Sequence, residues 1–175
     1  TLIIFTTDHG AFIGHHGLVG KGVFDYEDVV KIPFIASYKG KMPQGVRSQA
    51  LISLVDIAPT ILGMAGKKIP RCMTGIDQTD VFMGNKKEIR DHVIVENRFQ
   101  MTKFYVCTYI DKHYKLAFDM NSNEGELFDL KNDPNELINL WNDEKYKDIK
   151  TELLLKALQS RMKAEPVLMP RVAGA

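Results

Sequence analysis

Leu2-Ile3-Ile4-Phe5-Thr6-Thr7-Asp8-His9-Gly10, followed after a short gap by His15-His16-Gly17 and then by Lys21-Gly22, decides both the fold class and the chemistry expected of this chain. The apolar run Leu2 to Phe5 has the make-up of a buried strand. It delivers a carboxylate and an imidazole at its carboxyl edge, where open α/β sheets place their ligands. Asp and His are ligands for hard or borderline divalent cations, and a glycine directly after them lets the backbone turn away without crowding an ion. Lys21 adds a mobile positive charge on the same excursion. A cation and an ammonium gathered on one loop suit a tetrahedral oxyanion such as sulfate or phosphate. Asp8 and His9 are therefore the candidate metal ligands. Lys21 is the candidate catalytic and anion-binding group, with His16 a second catalytic candidate. An Asp-His pair after a strand is by itself also an ordinary turn with a capping carboxylate; Lys21 and the flanking pattern are what point to a site.

Outward from this stretch, Ile32 to Ser37 reads as a second strand and Ser53 to Ala65 as a helix. Leu51, Leu54, Val55, Ala58, Ile61, Leu62 and Ala65 share one helical face, and Ser53 and Asp56 have capping-box spacing. Pro59 is expected to kink this helix, and Asp56 to do no more than offset its dipole. Alternating strands and helices predict an α/β part with a parallel sheet over residues 1–88. Residues 89–175 read differently. His92 to Asn97, Lys103 to Ile110, Tyr114 to Asp119 and Glu126 to Leu130 are short strand-like runs separated by turn signals at Asp111-Lys112 and Asn121-Ser122-Asn123. They predict a four-stranded antiparallel sheet. Asp143 to Lys163, with Tyr146, Ile149, Leu153, Ala157 and Leu158 at helical spacing, predicts one amphipathic helix covering a face of that sheet and stopped by Pro166.

Composition narrows the function classes. The 175 residues are 45% hydrophobic and 26% charged, enough for one core, and no apolar run approaches the roughly 18 residues a membrane span needs. A net charge of +1 without a dense Lys/Arg stripe argues against a nucleic-acid surface. Cys72 and Cys107 stand far apart, outside any Cys-x-x-Cys spacing, and make neither a disulfide framework nor a zinc knuckle.

The order of the motifs carries more than any one of them. Thr6-Thr7-Asp8-His9-Gly10, His16-Gly17-Leu18, Gly20-Lys21-Gly22, Tyr26-Glu27 and Lys31-Ile32-Pro33-Phe34-Ile35 succeed one another. Ser53-Leu54-Val55-Asp56-Ile57-Ala58-Pro59-Thr60-Ile61-Leu62, Gly75-Ile76-Asp77, and Glu126-Leu127-Phe128-Asp129-Leu130-Lys131-Asn132-Asp133-Pro134-Asn135-Glu136 ahead of Asn139-Leu140 follow in turn. Together they resemble the second half of the catalytic domain of type I sulfatases in the alkaline phosphatase superfamily. The resemblance implies a sulfuric ester hydrolase. Asp8 and His9 would help bind a divalent metal, calcium first, although a nitrogen ligand also suits manganese or zinc. Lys21 would contact the sulfate, and Glu27 would support the loop that carries the lysine.

The same family uses a formylglycine nucleophile made from Cys or Ser in a Cys/Ser-x-Pro-x-Arg setting, and neither Cys72 nor Cys107 has that context. Its Asp-Asp metal ligands are missing as well. The chain is accordingly expected to be the C-terminal part of a longer enzyme, inactive alone, with the N-terminal half as its main partner and an exposed sheet edge favouring self-association. The expected substrate is a sulfated small molecule or carbohydrate. The parent enzyme is expected to be periplasmic, secreted or lysosomal. A phosphonate monoester or phosphodiester hydrolase of the same superfamily is the alternative. A non-catalytic module of this fold is a third reading, against which the joint presence of Asp8, His9 and Lys21 speaks.

Overall fold

The computed structural model describes residues 1–98 and 103–165. The helix stop at Pro166 lies outside the described residues. Strand β1 (Leu2–Thr6) pairs with β4 (Phe34–Tyr38), with Phe5 opposite Ile35 and Ile3 opposite Ser37. The pair is antiparallel, which corrects the parallel arrangement expected from sequence. Parallel neighbours need a crossover of a dozen or more residues, usually a full helix. Here the connection holds the two-stranded ribbon of β2 (Phe12–Ile13) and β3 (Val19–Gly20) with a 3-10 turn at His15–Gly17 between them, and the single turn α1 (Glu27–Val30). One face of β1–β4 leaves Ile3, Phe5 and Ile35 about three-fifths exposed.

Gly10 makes the turn between strand and ribbon possible. Its N–H donates to the Val29 carbonyl at 2.8 Å, and a Cβ on it would stand 1.9 Å from the Asp28 carbonyl oxygen. The end of β1 and α1 therefore touch backbone to backbone, a contact that only glycine permits.

The predicted helix at Ser53 begins later than expected. Leu54–Asp56 form a 3-10 turn, α2 occupies Ile57–Met64, and the Ser53/Asp56 capping box is present. Pro59 thus falls in the first turn of α2, where backbone N–H groups have no intrahelical partner, so the kink expected of it is not required. Leu54, Val55 and Ile61 are exposed, so much of the expected apolar face is open. Asp56 does more than offset a dipole. Fully buried, it accepts hydrogen bonds from Ser53 N at 3.0 Å, Ile76 N at 2.8 Å and Gln78 Nε2 at 3.3 Å, and it pairs with Arg90. It ties α2 to the loop before α3 (Thr79–Phe82) and to the approach of the second sheet.

That sheet is an antiparallel meander of β5 (His92–Asn97), β6 (Val106–Asp111), β7 (Tyr114–Asp119) and β8 (Gly125–Asp129). Its register sets Tyr109, Leu116 and Leu127 in one cross-strand row. Helix α4 (Lys147–Lys163) covers them with Leu153 and Ala157, and Trp141 completes the core. Leu116 and Leu127 are fully buried; each contributes about 1.5 to 3 kcal/mol by leaving water. Leu158, expected on the covered face, is 56% exposed. Because side chains alternate along a strand, Thr108, Lys115, Glu126 and Phe128 face the other way. That second face is also covered, by residues Asp25 to Glu27.

Candidate metal and anion site

Asp8, His9 and Lys21 come together where β1 ends and the ribbon returns. His9 Nδ1 lies 2.7 Å from the Gly10 carbonyl oxygen, which can only accept a hydrogen bond. A proton therefore sits on Nδ1, and in the neutral ring Nε2 carries the lone pair. This is the tautomer a metal ligand needs, fixed by the kind of outer hydrogen bond that orients ligating histidines. Asp8 Oδ2 stands 3.4 Å from that Nε2, and the Asp8 side chain is largely exposed. The His9 backbone N–H donates to Asp8 Oδ1 at 3.0 Å and Thr7 Oγ1 does so at 3.1 Å. These bonds, the backbone one first, hold the Asp8 carboxyl below the usual carboxylate range.

An anionic oxygen and an imidazole nitrogen 3.4 Å apart fit adjacent positions around a cation whose bonds are about 2.0 to 2.5 Å long. The residues present thus suit a divalent ion that takes its remaining ligands from elsewhere. Lys21 Nζ donates to His9 Nε2 at 2.9 Å, which puts the ammonium at the same point.

The neighbouring histidines are engaged differently. His16, in the left-handed region at φ 51°, stacks its ring on Tyr26 with centroids 4.1 Å apart. Among the described residues no hydrogen bond joins it to Asp8, His9 or Lys21, and its Nε2 is buried without a partner. His15 Nδ1 contacts Asp28 Oδ2 at 2.6 Å, which pulls the Asp28 carboxyl below its ordinary range. Donor atoms of His15, His16 and Asp28 lie within 4.8 Å of one another, a grouping not anticipated from sequence.

Sequence reasoning also missed the buried ion network beneath the lysine loop. Lys115, 1% exposed, contacts Glu136 Oε1 at 2.6 Å, Glu27 Oε1 at 3.0 Å and the Asp25 carbonyl at 3.0 Å. Glu136 Oε2 accepts from the Glu27 N–H at 2.7 Å, at the start of α1. Burial pushes the Glu136 carboxyl up. For Glu27 burial acts the same way and is the largest influence, but Lys115 and Lys31 together outweigh it and hold the group below its usual range.

Residues 14–163 match the profile of the family described as N-sulphoglucosamine sulphohydrolase, C-terminal. An arylsulfatase from Clostridium perfringens is 33% identical over 168 residues, covering 92% of the chain and 34% of the relative. A protein solved in complex with its substrate D-glucosamine-2-N,6-O-disulfate superposes with a TM-score of 0.84 at 25% identity, covering 93% of the chain and 34% of that structure. A phosphonate monoester hydrolase of Agrobacterium radiobacter gives a TM-score of 0.85 at 24% identity over 93% of the chain and 35% of its own length, a likeness of fold alone. The chain spans about a third of the length of these relatives. With its mixed α/β strands, its antiparallel sheet, its C-terminal helix and most of its length matched by that profile, the chain belongs to the sulfatases of the N-sulphoglucosamine sulphohydrolase C-terminal family.

Proposed function

We propose that the chain supplies the C-terminal third of a metal-dependent sulfatase, contributing Asp8 and His9 to the metal and Lys21 to the sulfate. The observation that carries this is the convergence of Asp8 Oδ2 and Lys21 Nζ on His9 Nε2, at 3.4 and 2.9 Å. A divalent cation, when bound, supplies Lewis-acid polarisation of a sulfuryl oxygen. Asp8 and His9 hold their donor atoms toward it, His9 through the Gly10 carbonyl that fixes its tautomer. Lys21 places a compact positive charge where negative charge builds on the ester during hydrolysis. His16, whose ring stacks on Tyr26 and whose Nε2 has no partner among the described residues, is the second catalytic candidate.

Calcium is the first candidate, and His9 leaves manganese and zinc open. The formylglycine nucleophile and the other metal ligands are assigned to the part of the enzyme not included in this chain. The open face of Ile3, Phe5 and Ile35 is the surface that part would cover, or that self-association of the chain would bury. Residues 1–88 are assigned to the catalytic α/β domain and 89–175 to a C-terminal subdomain, a division supported by β5 starting at His92. The substrate is assigned to the sulfated sugars, by analogy with the disulfated glucosamine of the solved relative. A periplasmic, secreted or lysosomal setting rests on the family resemblance; among the described residues no helix is long and apolar enough to cross a membrane.

Metal analysis tests the ligand assignment. Asp8→Ala and His9→Ala, made in the sulfatase that carries this chain, are each expected to lower metal content by inductively coupled plasma mass spectrometry. Circular dichroism should stay unchanged, because both side chains lie at a loop edge. Removing one of several ligands weakens binding through lost charge and geometry, so excess metal should restore part of the activity. Full metal occupancy in both variants would return Asp8-His9-Gly10 to an ordinary turn.

A further inference from the structure

Lys21 stands between two glycines, at the head of the loop joining β3 to α1. Gly20 lies at φ 83°, and neither glycine has a side chain to brace the lysine, so the local chain does little to fix where its ammonium goes. The loop is held instead by distant residues. Thr108 Oγ1 donates to Asp25 Oδ2 at 2.7 Å, Tyr26 Oη donates to Glu126 Oε1 at 2.7 Å, and Lys115 donates to the Asp25 carbonyl at 3.0 Å. Every one of these partners lies on the antiparallel sheet, 83 to 100 residues further along the chain.

The bond nearest the lysine comes from the last residue of β5. Asn97 Nδ2 donates to the Gly22 carbonyl at 3.2 Å, across 75 residues of sequence. Among the described residues this is the one hydrogen bond that Gly22 makes. Asn97 is half-buried at a strand end, whereas Thr108 and Lys115 are fully buried. Loss of Thr108 or Lys115 would open packed structure. Loss of the Asn97 amide would free the peptide that follows Lys21 and remove a hydrogen bond to the Asp25 carboxylate, while leaving Thr108 and Lys115 in place to hold that residue.

We propose that Asn97 is a positioning residue for Lys21: it pins the Gly22 peptide to the edge of the C-terminal sheet and so fixes where the lysine meets the sulfate. The assignment rests on the role given above to Lys21. It makes the C-terminal subdomain part of the anion site rather than an appendage to it. A group that acts through another should lose its effect when the other is absent, which a double-mutant cycle measures.

In the sulfatase that carries this chain, Asn97→Ala is expected to lower kcat/KM for a sulfate ester about tenfold, a fraction of the roughly hundredfold that a 1 Å misplacement of a catalytic group can cost. The midpoint of thermal unfolding should stay within about 3 °C of the parent enzyme's. Asn97→Leu keeps the size but has no donor for the Gly22 carbonyl, and should show the same loss if the alanine variant folds poorly. In the Lys21→Ala background neither change should slow the enzyme further. An equal loss with and without Lys21 would overturn the proposal, as would normal kinetics in both Asn97 variants. Normal kinetics in Lys21→Ala alone would instead overturn the assignment of the lysine, and the positioning role with it.

Discussion

Lys21→Ala, in a sulfatase carrying this chain, is expected to reduce kcat/KM for a sulfate ester by roughly two to three orders of magnitude, or about 3 to 4 kcal/mol of transition-state stabilisation. The estimate treats the lysine as one preorganised charge at a developing oxyanion. Its Nζ lies 2.9 Å from His9 Nε2, so only the side chain has to turn off that nitrogen for the ammonium to face a sulfate beside the metal-ligand pair. Lys21→Arg should recover little, because a planar guanidinium fork cannot take the place of a compact ammonium beside His9. Steady-state kinetics on both variants, with metal content measured alongside, separate loss of the charge from loss of the ion. Near-normal kcat/KM in Lys21→Ala would remove the lysine from the site.

The second large effect falls on stability. Lys115→Met is expected to destabilise the protein by about 3 to 5 kcal/mol, the usual consequence of removing one partner from a buried ion pair. Glu136 is 2% exposed and Lys115 lies 2.6 Å from it, so the truncation leaves a buried carboxylate with no cation beside it. Glu27, held below its ordinary range by Lys115 together with Lys31, keeps only its 3.0 Å pair with Lys31. Lys115→Met combined with Glu136→Gln should recover part of the loss, because the stranded charge goes with its partner. Denaturant unfolding measures both. A cost below about 1 kcal/mol for Lys115→Met would mean that the network contributes no more than a surface pair does.

Lys115 also marks where sequence reading stops. In Tyr114-Lys115-Leu116-Ala117-Phe118 the alternation assigns the lysine to the wet side of the sheet. The alternation itself holds, since Leu116 enters the α4 core and Lys115 points the opposite way. What it could not convey is that the opposite face is covered by a loop from residues 25–27. The ion partners Glu27 and Glu136 lie 88 and 21 positions away, and no local pattern pairs residues over such separations. Asp56 and Arg90 escaped for the same reason. Strands β5 and β7 match their sequence-derived limits, and α4 differs from its limits only by an initial 3-10 turn, because period-2 and period-3.6 patterns are local. The antiparallel pairing of β1 with β4 was not legible, because strand direction depends on how the intervening segment folds back. Asp8, His9 and Lys21 could be singled out because their chemistry is compressed into one loop excursion. Asn97 could not, since an asparagine at the end of a strand is ordinary.

The central claim, that Asp8, His9 and Lys21 form the metal and sulfate side of one active site, is tested most directly by a crystal structure of the sulfatase carrying this chain, soaked with a sulfate ester and a divalent cation. The expected result is an ion ligated by Asp8 Oδ2 and His9 Nε2, with Lys21 Nζ turned from His9 to within about 3 Å of a sulfate oxygen. A sulfate bound elsewhere, with Lys21 still hydrogen-bonded to His9 and no ion between Asp8 and His9, would contradict it.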